Sequence, residues 1–392
     1  MRGGAAGGVR TSLWRVPAMQ ALVGVTVLGF ASYCLTLASL PTYAVLGGTP
    51  AAGAGLVTAV FLVVTIAVQA AVPALSARFG QAPVLAAGLL AMGLPSPLYV
   101  VDDELAWLCA LSVVRGAGFA VLTVLGSTLA AQVAPADRRG ESIGIYGLAI
   151  AVPNLVAVPA GVALVLDGHT AWLAWLAASP VLGVLFVPRL ARAVGRQADT
   201  AVTGSGRAAA RAALAPSVVL FAVTLAGGGL VTFLPIERPD GALATSALLV
   251  FGVTGALTRW RAGLLADRLG SGVLLPGGLG LAGLGLAVVA AGLAWSGPAG
   301  VLLGAAVFGG GFGAVQNLTL LAAFARAGEG GTTAASAMWN ASFDAGTAVG
   351  ALALGPVAVA LGLPATYVVV GVLLAAGLPL AVAAAHPGRA RS

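Results

Sequence analysis

The 392-residue sequence predicts an all-α integral membrane protein, with twelve transmembrane helices in two pseudo-symmetric six-helix halves. Three observations predict it. Hydrophobic residues make up 59% of the chain and charged residues 8%, against roughly 25% charged in soluble proteins. The apolar residues fall into twelve runs long enough to cross lipid. A basic hydrophilic stretch divides the runs into two sets of six, and the sets repeat one another. With a mean hydropathy of +1.03, too few charges remain to build the surface of a soluble enzyme or a nucleic-acid binder. Cys34 and Cys109 lie in separate apolar runs, which excludes a secreted disulfide scaffold.

A helix rises 1.5 Å per residue, so about 20 apolar residues cross roughly 30 Å of hydrocarbon. On that basis the first six spans are predicted at 18–40, 51–72, 83–101, 105–132, 143–166 and 171–188. The second six are predicted at 214–236, 243–262, 272–294, 298–325, 333–357 and 365–385. The breaks carry turn or polar residues: Gly47-Gly48-Thr49-Pro50, Asp102-Asp103-Glu104, Asp137-Arg138-Arg139-Gly140-Glu141, Asp167-Gly168-His169 and Glu237-Arg238-Pro239-Asp240. Between spans 6 and 7, residues 189–213 hold five arginines and Thr203-Gly204-Ser205-Gly206, the composition of a flexible linker. The expected units are therefore an N-terminal half (1–188), a linker (189–213) and a C-terminal half (214–392).

All 19 basic residues are arginine, and they set the orientation. Seventeen fall in the N-terminal tail, the even-numbered loops, the linker or the C-terminal tail, counting Arg259 and Arg261 with the 8–9 loop. The odd-numbered loops hold Arg238 and six acids: Asp102, Asp103, Glu104, Asp167, Glu237 and Asp240. The positive-inside rule then puts both termini and the linker in the cytoplasm. The first run is too long for a signal peptide and lacks a cleavage site, so it is expected to stay as span 1.

The two halves repeat at an offset of 190 residues. Gly263-Leu-Leu-Ala-Asp267-Arg268-Leu-Gly270, after span 8, meets Pro73-Ala-Leu-Ser-Ala77-Arg78-Phe-Gly80, after span 2. More loosely, Gly140–Gly147 meets Gly331–Met338. Two six-helix repeats are what a rocking transporter needs, with substrate held between them near mid-membrane.

The segment from Gly263 to Gly270 resembles the Gly-x-Leu-Ala-Asp-Arg-x-Gly signature of the major facilitator superfamily, and the chain resembles that superfamily over its full length. The resemblance implies a conformational latch of Gly263, Asp267, Arg268 and Gly270, with Arg78 and Gly80 in the N-terminal copy. Asp267 is expected to hold Arg268 and to cap a neighbouring helix end. The N-terminal copy departs from the pattern, since Ala77 replaces the acid and Pro73 the first glycine. Pro135-Ala-Asp137-Arg138-Arg139-Gly140-Glu141 and Met338-Trp339-Asn340-Ala-Ser-Phe343-Asp344-Ala-Gly346 resemble the bacterial drug and metabolite efflux branches. In span 5 the antiporter Gly-Pro signature is degenerate: Gly147, Pro153, Pro159 and Gly161 stand without the Gly-Pro pair.

Arg115 stands well inside span 4. A charge near the bilayer centre costs on the order of 3 kcal/mol on insertion scales, so it is expected to face a cavity or a partner. The other reading is an arginine that snorkels to the interface. Asp344 is the acid well inside a span, placed either to carry the coupling proton or to pack against Asn340 one turn earlier. Around them stand Tyr33, Thr36, Asn154, Gln316, Asn317, Trp339 and Asn340. Polar groups in lipid require another helix or a wet cavity, so each is read as a substrate contact or as interhelical glue, except Trp339, which is read as stacking on a substrate ring or as meeting lipid.

Other signals carry no chemistry. Gly278-x-Gly280-x-x-Gly283 lacks the strand that a dinucleotide fingerprint requires and reads as close helix packing. Asn317-Leu-Thr319 and Asn340-Ala-Ser342 match the glycosylation triplet inside helices. His169 and His386 have no metal-ligand partners, and no phosphate-binding loop is present. No metal and no cofactor are expected, and no nucleic acid. The resemblance implies a monomeric, proton-coupled exporter of small drug-like or metabolite molecules in a bacterial inner membrane. The alternative is an importer or facilitator of a sugar or small organic ion with the same fold. A membrane-embedded enzyme would need clustered His, Ser or acidic residues, and the sequence has no such cluster.

Overall fold

The computed structural model describes residues 12–195, 206–237, 242–295 and 297–386. Arg2, Arg10, Arg196, Arg238, Asp240, both C-terminal arginines and most of the Thr-Gly-Ser-Gly stretch lie outside the described residues. In the first half the membrane-crossing helices are α1 (Pro17–Leu46), α2 (Leu56–Gln69 and Val72–Phe79), α3 (Gln81–Val100), α4 (Leu105–Gln132), α5 (Ala136–Leu166) and α6 (Thr170–Ala193). The second half holds α7 (Leu214–Pro235), α8 (Ala242–Leu269), α9 (Ser271–Ala294), α10 (Pro298–Ala327), α11 (Thr332–Leu361) and α12 (Leu363–Ala385). Eleven of these pass as single spans, and α2 is a pair of helices bent by 53°.

Each boundary has a physical cause. In α2 the break falls between Gln69 and Val72, where Pro73 can neither donate to nor clear the carbonyl of Gln69 four residues earlier. The sequence places span 2 at 51–72, straight through this bend. Apolar periodicity cannot register a kink made by one proline. At the charged ends the helices outrun the expected spans. α8 continues to Leu269 and α5 starts at Ala136, because hydropathy marks only the part of a helix that needs lipid. Asp267-Arg268 is therefore the last turn of α8 and not a loop. Gly80 (φ 85°) and Gly270 (φ 77°) both end their helices in the left-handed region, where a residue without Cβ is favoured. The repeat thus holds at backbone level even where its side chains differ.

Packing inside each half repeats as well. α1 lies on α5 and α7 on α11. A Cβ at Gly161 would stand 2.0 Å from the carbonyl oxygen of Leu35, and one at Gly350 would stand 2.0 Å from that of Leu225. The two contacts occupy matching places in the halves. Small residues let helix backbones touch where lipid gives no hydrophobic drive for association. Aromatic clusters fill the space between second and fourth helices: Tyr33, Phe61 and Phe119 in the first half, Phe251, Phe308 and Phe312 in the second. Large apolar side chains such as Val359, Val273 and Leu352 are exposed on the outside, as a lipid-facing surface requires.

Candidate functional site

The halves meet most closely where α5 crosses α8. A Cβ at Gly263 would stand 2.0 Å from the carbonyl oxygen of Gly140, so only glycine permits this approach. One turn outward Gly144 lies against Trp260, and one further turn brings Gly147 against Arg259. At the basic end Asp267 accepts from the backbone N–H of Gly140 through Oδ1 (2.8 Å) and from that of Glu141 through Oδ2 (2.8 Å). The carboxylate thereby caps the first turn of α5, where unpaired N–H groups and the helix dipole favour an anion. Arg138 pairs with Glu141 at 2.7 Å beside it.

This geometry sorts the predicted latch residues. Gly263 and Asp267 form the contact, and Gly270 turns the chain after it. Arg268 is exposed, and among the described residues Asp267 makes no ion pair with it, because both carboxylate oxygens are engaged by α5. Of the two expected roles of Asp267, the helix cap is present and the hold on Arg268 is not. In the first half Arg78 is exposed and lies over Phe79 (5.1 Å to the ring centroid), and Gly80 ends the helix. With Ala77 in place of an acid, the Val72–Phe79 segment rests on α11, and among the described residues it has no equivalent cap.

Deeper in the seam α4 meets α11. Ser336 donates to the carbonyl of Val124 (2.7 Å) and touches Ser127. Asn340 Nδ2 donates to Ser127 Oγ (3.1 Å) and to the Thr123 carbonyl (3.3 Å). One turn further along α11, Asp344 Oδ2 accepts from Gln69 Nε2 at 2.8 Å. Gln69 is wholly buried at the α2 kink and also donates to Thr123 Oγ1. Asn340 and Asp344 therefore face the other half rather than each other. Gln69 was missed in the sequence, although an amide four residues before a proline in a span is a readable signal.

Arg115 is fully buried and has all five N–H groups engaged. Nε donates to the Met92 carbonyl, Nη1 to Thr36 Oγ1 and Tyr99 O–H, and Nη2 to the carbonyl and hydroxyl of Ser32. The snorkelling reading fails. Arg115 and Asp344 are not paired, since each is held by other groups. Arg115 ties α1, α3 and α4 together at the edge of a small cleft lined by Tyr33, Thr36, Phe61 and Ser112. Asn154 lies two turns along α5 from Gly147 and so on the same face. It is exposed.

In the second half Gln316 Oε1 accepts from Arg259 Nη1 (2.9 Å), and Asn317 Nδ2 donates to the carbonyls of Arg259 (3.0 Å) and Gly140 (3.4 Å). Trp339 is buried, donates to Thr319 Oγ1 and stacks on Phe343, so it faces protein and not lipid. Arg259, counted in the sequence with the 8–9 loop, is instead a second buried arginine, 7% exposed. The run-length reading hid it, because two basic residues near the end of an apolar run look like the loop itself.

Two matching apolar bundles that meet at a polar seam, closed at the basic end by Asp267, define a multi-pass membrane transporter. The Major Facilitator Superfamily profile matches residues 21–351, and the chain belongs to that family, which is made of transporters and not enzymes. Solved structures of low identity share the fold. They include the human organic anion transporter MFSD10 (TETRAN), with a TM-score of 0.72 and 17% identity, covering 93% of this chain and 99% of that one. The fucose:proton symporter FucP of E. coli has a TM-score of 0.69 and 14% identity, covering 96% and 100%. The proton:xylose symporter XylE, bound to 6-bromo-6-deoxy-D-glucose, has a TM-score of 0.71 and 15% identity, covering 93% and 94%. No curated protein matches the sequence.

Proposed function

We propose that this transporter is a proton-coupled exporter of small drug-like or metabolite molecules, working as a monomer by alternating access in a bacterial inner membrane. Residues 1–188 and 214–392 are its moving halves, and 189–213 is the cytoplasmic linker. The observation that carries the reading is Asp344, an acid deep in the second half whose carboxylate is gripped by Gln69 of the first. An ionised carboxylate in apolar surroundings needs a donor, and a neutral carboxyl needs an acceptor. Gln69 offers both: Nε2 donates to Asp344, while Oε1 is buried without a partner. A half-turn of the amide would let Oε1 accept from the protonated acid. Loading and unloading a proton would thus change the bond that spans the seam, and with it the balance between open and closed forms.

Export is favoured by the resemblance of the 135–141 and 338–346 segments to efflux branches. In that reading the basic end, sealed by Asp267, is cytoplasmic, and the acidic end releases substrate outside. The test is drug-stimulated proton flux in proteoliposomes, run beside Asp344→Asn. The Asn variant keeps a neutral partner for Gln69 but carries no proton. Accumulation against a proton gradient should be abolished, while downhill exchange and binding persist. Gradient-driven export at wild-type rate in Asp344→Asn would remove the proton role from this residue.

A further inference from the structure

Arg259 is a buried cation that, among the described residues, has no carboxylate partner. Its Nη1 group donates to Gln316, and the guanidinium lies 5.9 Å from the centroid of the Trp339 ring. Among the described residues, Nε and Nη2 have no hydrogen-bond partner. The acids within reach of the seam are already engaged, Asp344 by Gln69 and Asp267 by the start of α5. An unpaired charge in such a place is expensive, and two free N–H groups beside it add to the cost.

The identity of the free groups is informative. Nε–H and Nη2–H point the same way from one edge of the guanidinium, and together they form the fork that grips a carboxylate with two parallel bonds. In the sealed form the Cδ–Nε part of the side chain, at one end of that edge, lies against the bare backbone of Gly147 on α5. A Cβ at Gly147 would stand 2.6 Å from Arg259 Nε. Everything that holds the guanidinium in place, Gln316 on α10 and Trp339 on α11, belongs to the second half. Only its cover belongs to the first. When α5 leaves α8 the fork would be uncovered, already oriented, on the wall of the cleft that opens to the basic side.

We propose that Arg259 is an organic-carboxylate receptor, hidden in the sealed form and exposed when the basic end opens, so that the cargo class is a carboxylate anion with an apolar body. The proposal rests on the transporter reading for its opening motion. It does not depend on the direction of transport or on proton coupling. Gln316 and Trp339 act as positioning residues, one fixing the far edge of the guanidinium and the other its plane.

The experiment uses the full-length purified protein in detergent and three probe pairs: benzoate, 1-naphthoate and octanoate, each beside its uncharged carboxamide. Binding is read as thermal stabilisation. For at least one pair the carboxylate should half-saturate at a concentration about tenfold or more below its amide, the ratio expected of a bidentate charged contact over a neutral one. Arg259→Lys keeps the charge but not the fork and should lose most of that ratio. Arg259→Gln should abolish it, weakening carboxylate binding far more than amide binding. Asp267→Asn, by loosening the seal, should tighten carboxylate binding, because a larger fraction of molecules presents the fork. No preference in any pair, no binding of any probe, or a preference that survives in Arg259→Lys would overturn the assignment. If Arg259→Gln does not fold, the wild-type ratio and the lysine variant decide. Proteoliposomes separate this from the export reading. Carboxylate preference in binding without proton-driven movement supports the receptor and refutes the exporter, whereas proton-driven movement with no carboxylate preference does the reverse.

Discussion

Asp267→Asn isolates the seal at the basic end. In the closed form the carboxylate accepts two backbone N–H bonds of 2.8 Å from Gly140 and Glu141, and a hydrogen bond to a charged group contributes about 1.5–3 kcal/mol. Asparagine keeps one acceptor and turns an NH2 towards the second N–H, so one charged bond is lost together with the attraction of a helix start for an anion, about 0.3–1 kcal/mol. Asp267 is half-buried, which argues for the lower ends of these ranges, about 2 kcal/mol in all. That corresponds to a roughly 30-fold shift from closed to open. The assay is alkylation of a cysteine at Ser336, which is buried in the seam against Val124 and Ser127, in a chain with Cys34→Ala and Cys109→Ala. An impermeant maleimide applied to the basic face should react about 30-fold faster in the Asn background. Transport should slow while substrate binding is kept or tightened. Ala77→Asp should change the alkylation rate and transport far less, because no cap exists in that copy. An Asn variant that alkylates within about twofold of the parent would show that the cap does not hold the seal.

Gly263→Ala places a methyl 2.0 Å from the Gly140 carbonyl oxygen, so the basic end should fail to close and the Ser336 cysteine should react at the open-form rate even with Asp267 intact. Arg115→Ala removes five hydrogen bonds and leaves Tyr99, Thr36 and Ser32 facing a void. A loss of about 3–5 kcal/mol is expected, seen as a large drop in melting temperature along with lost transport. Arg115→Lys should recover part of both, and a normally stable, active Arg115→Ala would refute the tie between α1, α3 and α4. A cysteine at Gly204 should label only from the cytoplasm and one at Asp102 only from outside. The opposite pattern would invert the orientation.

Helix number, turn positions and the repeat were legible because each depends on local composition: twenty apolar residues, a glycine, a charge at a helix end. The Asp267 cap was readable in part, since an acid in that signature points to a helix start, but which backbone it meets depends on α5, 126 and 127 positions away in sequence. Side chains whose roles depend on their opposite numbers were least legible. Arg115 and Asp344 are both single charges inside spans, yet one is enclosed by five acceptors of its own half and the other is held from across the seam. Arg259 was the largest miss. Its position near the end of an apolar run suggested a loop, whereas α8 extends past it to Leu269 and carries it into the seam.

The contact of α5 with α8 is made by Gly140, Gly144, Gly147 and Gly263, each with its bare backbone pressed against the other helix. Every replacement of a glycine adds at least a Cβ, and at these four positions that atom would fall within about 3 Å of the facing helix. The seal is thus mutationally brittle in a way that the lipid-facing sides of the same helices are not, where one aliphatic residue replaces another at little cost. In a saturation screen for transport these four positions should stand out as intolerant against permissive neighbours, and second-site rescue should come from shortening the side chain opposite: Trp260 facing Gly144, Arg259 facing Gly147. Gly140 and Gly263 face each other's backbone, leave nothing to shorten, and should have no rescuer.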